Sequence, residues 1–403
     1  MRLRLLVFNA GSSSLKFDLL DWSGTGAVRL STGAFVERAD GSGTFALETG
    51  SPVPPLPAPV RTLGAAADFV LAWLSDASAH GRNLLAGVAA TVHRIVHGGE
   101  LFRATTRLGA AELAALAALD ELAPLHNPPA LAVIASVRAR LGQTTPLIGV
   151  FDTAYYAALP EAAWRYAVPA RWHQDFGVRR YGFHGTAHRY LCATARARVR
   201  PGQPTAKVVS LQLGRGCSVT ATLDDRPIAT SMGFTPLEGL VMGTRSGDFD
   251  PGALLQVMER AGLSPAAMRA ALNNDSGLKG LSGGSADMQE LLRREQQGDA
   301  RAGLAIEIFC RRARHYLGAF VCELGGVDVI AFGGGIGEHS PEIRRRIVRG
   351  LDWAGIGIDE HANRAHDAGS IGAADSRAAV EVVRVDEASV LAEEAAALLK
   401  RAA

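Results

Sequence analysis

At 403 residues the chain exceeds one ordinary hydrophobic core, so two domains are expected. With 48% hydrophobic and 20% charged residues it is globular, and a net charge of +2 gives no field strong enough to draw nucleic acid or an anionic membrane surface. Arg2 and Arg4 precede an apolar run too short for a signal core, and no stretch approaches the roughly 18 apolar residues of a membrane span, so a cytoplasmic protein is expected. Leu3 to Phe8, Leu15 to Asp21, Ala27 to Glu37 and Thr44 to Leu47 read as a strand meander broken by Gly and Ser turns. The first bend, "NAGSSSLK", packs Ser12, Ser14 and Lys16 between two strands, and Lys16 is one of only four lysines among 42 basic residues. Its spacing is not that of a P-loop. The proline-rich "GSPVPPLPAP" continues neither ladder nor helix. A helix over Leu63 to Ser75, a strand over Gly87 to Val96, helices over Ala110 to Leu122 and Ala130 to Leu141, and a strand Thr145 to Phe151 ending on Asp152 follow.

About 200 residues after the first bend the pattern returns in "KVVSLQLGRGCSVTATLDDRPIATSMG": strand, Gly-rich bend at Gly214, strand, Asp-Asp turn, strand. A third bend follows a strand over Asp328 to Phe332, where Gly333 to Gly337 let backbone approach a ligand and Ser340-Pro341 read as helix cap and first helical position. Glu338 stands where a third glycine of G-x-G-x-x-G would fall, which disfavours a Rossmann cofactor site. "TVHRIVHGGE" puts Arg94 at a strand end, "APLHNPP" holds His126 between stiff turns, and "RRYGFHGTAHRY" offers His184 and His188. The i, i+4 spacing of those two histidines is a weak metal signal, lacking the Glu of H-E-x-x-H. In "GFTPLEGLVMGTRSGDFDPG" small residues flank Arg245, presenting its guanidinium at close range. Cys192, Cys217, Cys310 and Cys322 have neither C-x-x-C nor metal spacing and read as reduced packing residues.

Eight segments in order, "NAGSSSLK", "HRIVHGGE", "APLHNPP", "FDTAYY", "RRYGFHGT", "TSMGFTPLEGLVMGTRSGDFDP", "SGLKGLSGGSADM" and "GGGIGEHS", resemble the acetate kinase family over nearly the whole chain. The resemblance implies an α/β, actin-like fold of the sugar kinase, chaperone ATPase and actin group. That fold is a duplicated βββαβαβα unit forming two domains around a cleft, here 1–154 with 388–403 and 155–387. It implies a cytoplasmic homodimer that transfers phosphoryl reversibly between ATP and a short-chain carboxylate, with Mg²⁺ (or Mn²⁺) and no nucleic-acid or membrane partner. By the same resemblance Arg94, Asp152, His184, Arg245 and His126 are catalytic. Val96, Leu125, Phe183 and Pro236 line the substrate methyl pocket with Arg94. Ser12, Ser14, Lys16, Gln212, Gly214, Arg215, Gly216, Gly333, Gly334, Gly335, Ile336 and Gly337 bind the nucleotide and its phosphates, and Asn9 with Glu387 serves the metal.

The chemistry asks for such residues. A carboxylate with a pKa near 4 is ionised at neutral pH and needs no general base. It must instead approach an anionic phosphate, against about 4 kcal/mol of repulsion for unit charges 4 Å apart at an effective dielectric near 20. Fixed guanidinium groups offset that barrier. The chain departs from the family pattern at Gln212 for histidine, Arg215 for asparagine, Ala229 for aspartate, Ala187 for serine and His339 for asparagine. Nearly all lie on the nucleotide side. A kinase preferring propionate, one using pyrophosphate as donor, and a non-catalytic actin-like module are therefore alternatives.

Overall fold

Strand β1 (Leu3–Ala10) organises the first half of the chain because its side chains alternate between two apolar layers. Leu6, Phe8 and Ala10 pack with the helices Leu63–Ser75 and Asn127–Leu141, while Leu5 and Val7 pack with Ala388, Leu391, Ala392 and Ala395 of the helix Glu387–Arg401. The computed structural model describes residues 2–401 except 12–13, 25, 38–42, 48–59, 121, 125, 200–205 and 366–367. Ser12 and Leu125 therefore lie outside the described residues, as does the whole of the proline-rich segment.

Beside β1 run β2 (Ser14–Trp22), β3 (Ala27–Glu37) and β4 (Gly43–Leu47), an antiparallel meander. On its other side β1 pairs in parallel with β5 (Val88–Ile95), which pairs in parallel with β7 (Leu147–Phe151); β6 (Thr106–Arg107) closes the edge. The sheet order is β4-β3-β2-β1-β5-β7-β6. The helix expected over Ala110 to Leu122 ends at Ala117, and the next begins at Asn127, its first turn formed by Pro128 and Pro129. Proline needs no N–H there, which is why that helix starts earlier than its apolar periodicity suggests.

The second half repeats the plan. β8 (Lys207–Leu213), β9 (Cys217–Leu223) and β10 (Arg226–Thr230) form a meander, and β8 pairs in parallel with β11 (Val329–Gly333), itself parallel to β13 (Ala379–Val382), with β12 (Gly369–Ser370) at the edge. The order is β10-β9-β8-β11-β13-β12. Asp224 and Asp225 join β9 to β10 with φ of 54° and 61°, the backbone of a two-residue type I′ hairpin. Gly334–His339 form a short helix where an open glycine turn was expected, and Pro341–Val348 a second one. Contacts divide the chain into two compact units, Met1–Ala157 with Asp386–Ala403, and Ala158–Val385, so Glu387 belongs to the first. Among the described residues no helix is long and apolar enough to cross a membrane.

Candidate functional site

The carboxyl ends of parallel strands are where α/β sheets gather ligand-binding groups, and the registers of β1, β5 and β7 do this in the first unit. Asn9 is the register partner of Arg94, and Arg94 the partner of Val150, two residues before Asp152. Arg94 donates from Nε to Asp152 Oδ1 at 3.0 Å, from Nη2 to Asp152 Oδ2 at 2.6 Å and from Nη1 to Asn9 Oδ1 at 3.0 Å. Glu387, opening the last helix, lies 3.4 Å from Arg94 Nε and accepts from Asn9 Nδ2 at 2.9 Å. Asp152 is fully buried, and the side chain of Arg94 is 12% exposed. Burial works against the Arg94 charge, but Asp152 and Glu387 outweigh it and raise the guanidinium above its ordinary pKa. Three of its five N–H groups are engaged by Asp152 and Asn9, leaving one on each Nη.

Of the other first-unit candidates, Lys16 is tied to the cluster by strand register and His126 lies beside a contact to the segment that follows β5. Lys16 is exposed and pairs with Asn9 across the β1–β2 ladder, while Gly11 donates to Ser14 O at 2.8 Å to close the bend. His126 precedes Asn127, whose amide accepts from His97 N at 3.3 Å and donates to His97 O at 3.0 Å, tying the His126 turn to the segment after β5. Val96 is buried in that segment.

In the second unit His184 sits between Phe183, which is buried, and the helix Gly185–Val199. Its φ is 57°, a left-handed conformation that a non-glycine residue adopts at a cost of order 1–3 kcal/mol, and such strain concentrates at functional sites. The Gly214–Gly216 bend between β8 and β9 lies against it. A Cβ added at Gly216 would stand 3.3 Å from His184 Cε1 and Nε2 and 3.7 Å from Arg245 Nη1, so this glycine keeps open the space those two side chains face. Arg245 donates from Nη1 to Pro236 O at 3.1 Å, and Gly243 N donates to Arg215 O at 3.2 Å, locking the arginine loop to the bend. Among the described residues no carboxylate pairs with Arg245, and burial lowers its pKa against a small opposing effect of Cys217.

A cavity of about 1130 Å³ opens beside the bend, lined by Gly214, Arg215, Gly284, Ser285, Gly335 and His339 among others. Ile336 lines it as well, but Gln212, Gly333, Gly334 and Gly337 do not. Gly334 has φ 75°, an added Cβ would strike Leu213 O at 2.6 Å, and its N–H donates to Glu338 Oε1 at 3.0 Å. The requirement for glycine there comes from close backbone packing. Gln212 Oε1 is buried and has no hydrogen-bond partner among the described residues. The loop Gly283–Ser285, within the segment "SGLKGLSGGSADM", also walls the cavity.

His184 and His188 do not pair for a metal. Both meet Ser218 Oγ, at 2.8 Å from His184 Nδ1 and 2.7 Å from His188 Nε2, and among the described residues no group of three or more His, Cys, Asp or Glu could hold an ion. Ser218 was missed because a serine inside a strand carries no distinguishing signal. Of the cysteines read as packing residues, Cys192, Cys217 and Cys310 are buried but Cys322 is exposed, at the end of a long helix where the apolar stripe has run out.

Comparison with known proteins finds that residues 4–393 match the Acetokinase family. The chain is 45% identical over 370 residues to acetate kinase of Solibacter usitatus strain Ellin6076, covering 90% of this chain and 89% of that protein. Among solved structures, acetate kinase of Porphyromonas gingivalis superposes with a TM-score of 0.85 at 33% identity over 98% of this chain and 100% of that one. A propionate kinase from Francisella tularensis gives 0.88 at 33% identity over 97% and 98%.

Proposed function

The chain belongs to the acetokinase family and has its actin-like α/β fold, and from that premise we infer that it is a phosphotransferase moving the γ-phosphoryl of ATP reversibly onto acetate. One observation carries the reading beyond the family: Arg245, without a carboxylate partner among the described residues, faces the same open glycine as a strained histidine, beside a cavity of nucleotide size. A part-buried guanidinium in that state is completed by an anion. Acetate is already ionised, so the protein's work is positioning and charge stabilisation of an in-line transfer rather than proton abstraction. Arg245 and His184 Nε2 supply cation and ring nitrogen to the phosphoryl oxygens. The two remaining Arg94 N–H groups hold the carboxylate, with Asp152 fixing the plane of the guanidinium.

Asn9 and Glu387 are hard oxygen donors in one network, which fits Mg²⁺, an ion that takes few protein oxygens and keeps waters. When bound it would supply charge neutralisation at the polyphosphate. By the family resemblance we assign His126, Val96, Leu125, Phe183 and Pro236 to the acyl side. A β-branched Val96 limits chain length, yet one methylene is worth only about 1–3 kcal/mol, so propionate is a second acceptor, in keeping with the likeness to a propionate kinase. The helix Pro251–Ala261 buries no residue and exposes Leu255 and Val257, which supports a homodimer, and four cysteines that remain thiols support a cytoplasmic setting. Hydroxylamine trapping of the acyl phosphate from ATP, Mg²⁺ and acetate tests the reading, with propionate and pyrophosphate substituted in turn. Absence of any hydroxamate would refute it.

A further inference from the structure

Behind His184 a line of polar groups runs into the second sheet. Ser218 Oγ, on β9, lies between His184 Nδ1 at 2.8 Å and His188 Nε2 at 2.7 Å; His188 Nδ1 meets Ser210 Oγ, on β8, at 2.7 Å; and the Cys192 thiol donates to Ser210 Oγ at 3.3 Å. His188, Ser210 and Ser218 are all fully buried, so water does not compete for these contacts. Three hydroxyl-to-ring contacts in a row take one hydrogen each, and their sense is shared: fixing one fixes the rest.

We propose that Ser210, His188 and Ser218 form a hydrogen-bonded relay of positioning residues that keeps His184 neutral with its proton on Nε2, presenting an N–H to the phosphoryl group. This rests on the functional reading above. In the outward sense Ser210 donates to His188 Nδ1, His188 Nε2–H donates to Ser218, and Ser218 donates to His184 Nδ1. Both rings then carry hydrogen on Nε2, the tautomer a free imidazole prefers. The reverse sense gives the less favoured tautomer to both rings. It also turns the Ser210 proton to Thr220 O at 3.4 Å, the outer limit of a hydrogen bond, and leaves a lone pair on the nitrogen that an anion must meet. A neutral ring at His184 also suits its surroundings. Arg245 already faces the same glycine, and a second cation there would be repelled. The groups facing His184 are silent near neutral pH: Arg245 stays charged, burial pushes the Cys217 thiol up to about 12, and burial together with His184 holds His188 well below 6.5.

The test begins with the unliganded wild-type protein. Nitrogen NMR of the imidazoles, with His184 and His188 assigned by single substitution, is expected to show Nδ1 unprotonated and Nε2 protonated in both rings, without titration near pH 6.5. A protonated Nδ1 at His184, or an imidazolium there at neutral pH, overturns the proposal. In the hydroxamate assay Ser218→Ala is expected to lower kcat by on the order of 10²-fold with little change in KM. Ser218→Thr, which keeps the hydroxyl, restores most of that loss, and Ser210→Ala gives a smaller loss. Equal effects of Ala and Thr at 218 would indicate packing alone and count against the relay. Should the wild type make no acyl phosphate, the function fails while the NMR still decides the relay.

Discussion

Two arginines carry the proposed chemistry, and the sequence surrounds them oppositely. Arg94 is gripped by Asp152, Asn9 and Glu387, in a cluster with more carboxylate than guanidinium. Arg245 has a carbonyl and a thioether for company and no acid among the described residues. The first arrangement spends charge to fix geometry, and it suits a group that must aim at a small carboxylate. The second leaves charge unspent, which suits a group that must gain most when an anion arrives.

Removing either arginine should separate these roles. Arg245→Ala is expected to cost about 10³- to 10⁵-fold in kcat, comparable with the loss of an arginine that stabilises a phosphoryl transition state. Arg94→Ala should cost roughly 10²- to 10³-fold with a marked rise in the KM for acetate. Steady-state hydroxamate kinetics measure both, and near-wild-type activity in either variant would refute its assignment. The double variant should lose less than the product of the two, because groups acting on one transfer are not additive.

Stability should move in opposite directions. Arg94→Met removes the guanidinium that meets both oxygens of the fully buried Asp152 carboxylate and should cost about 3–5 kcal/mol, whereas Arg245→Met removes a charge that no carboxylate among the described residues balances and should gain about 1 kcal/mol. Urea unfolding resolves this, and a destabilised Arg245→Met would show that the guanidinium has a structural partner. The smallest effect concerns one buried histidine in each unit. Burial holds His93 down to about 3 and His188 well below 6.5, so the unfolded chain binds protons that the folded one refuses. Stability should therefore fall as pH drops below about 6.5, by up to about 1.4 kcal/mol per pH unit for each ring, and His188→Gln should reduce that slope. Denaturant midpoints at descending pH provide the measure, and a flat response would contradict buried neutral rings.

Much of this was legible in sequence because the signals were local. The Gly and Ser breaks marked both meanders and the Asp-Asp turn marked the β9–β10 hairpin, while the family motifs pointed to Arg94, His184 and Arg245, whose roles are proposals. Other features required the chain to be folded. The left-handed backbone of His184 follows from its junction with a helix, Ser218 matters only through the two rings that meet it, and Gly334 is confined by Leu213 from another strand. The glycines of "GGGIGE" consequently divide between cavity wall and packing, a distinction that composition does not carry.

The uncompensated side chain of Arg245 has a practical consequence for anyone who purifies the protein. Sulfate, inorganic phosphate and similar tetrahedral oxyanions in a storage buffer will settle there, raise the melting temperature and slow turnover competitively. Buffers of chloride or organic amines are the background against which its kinetics should be recorded.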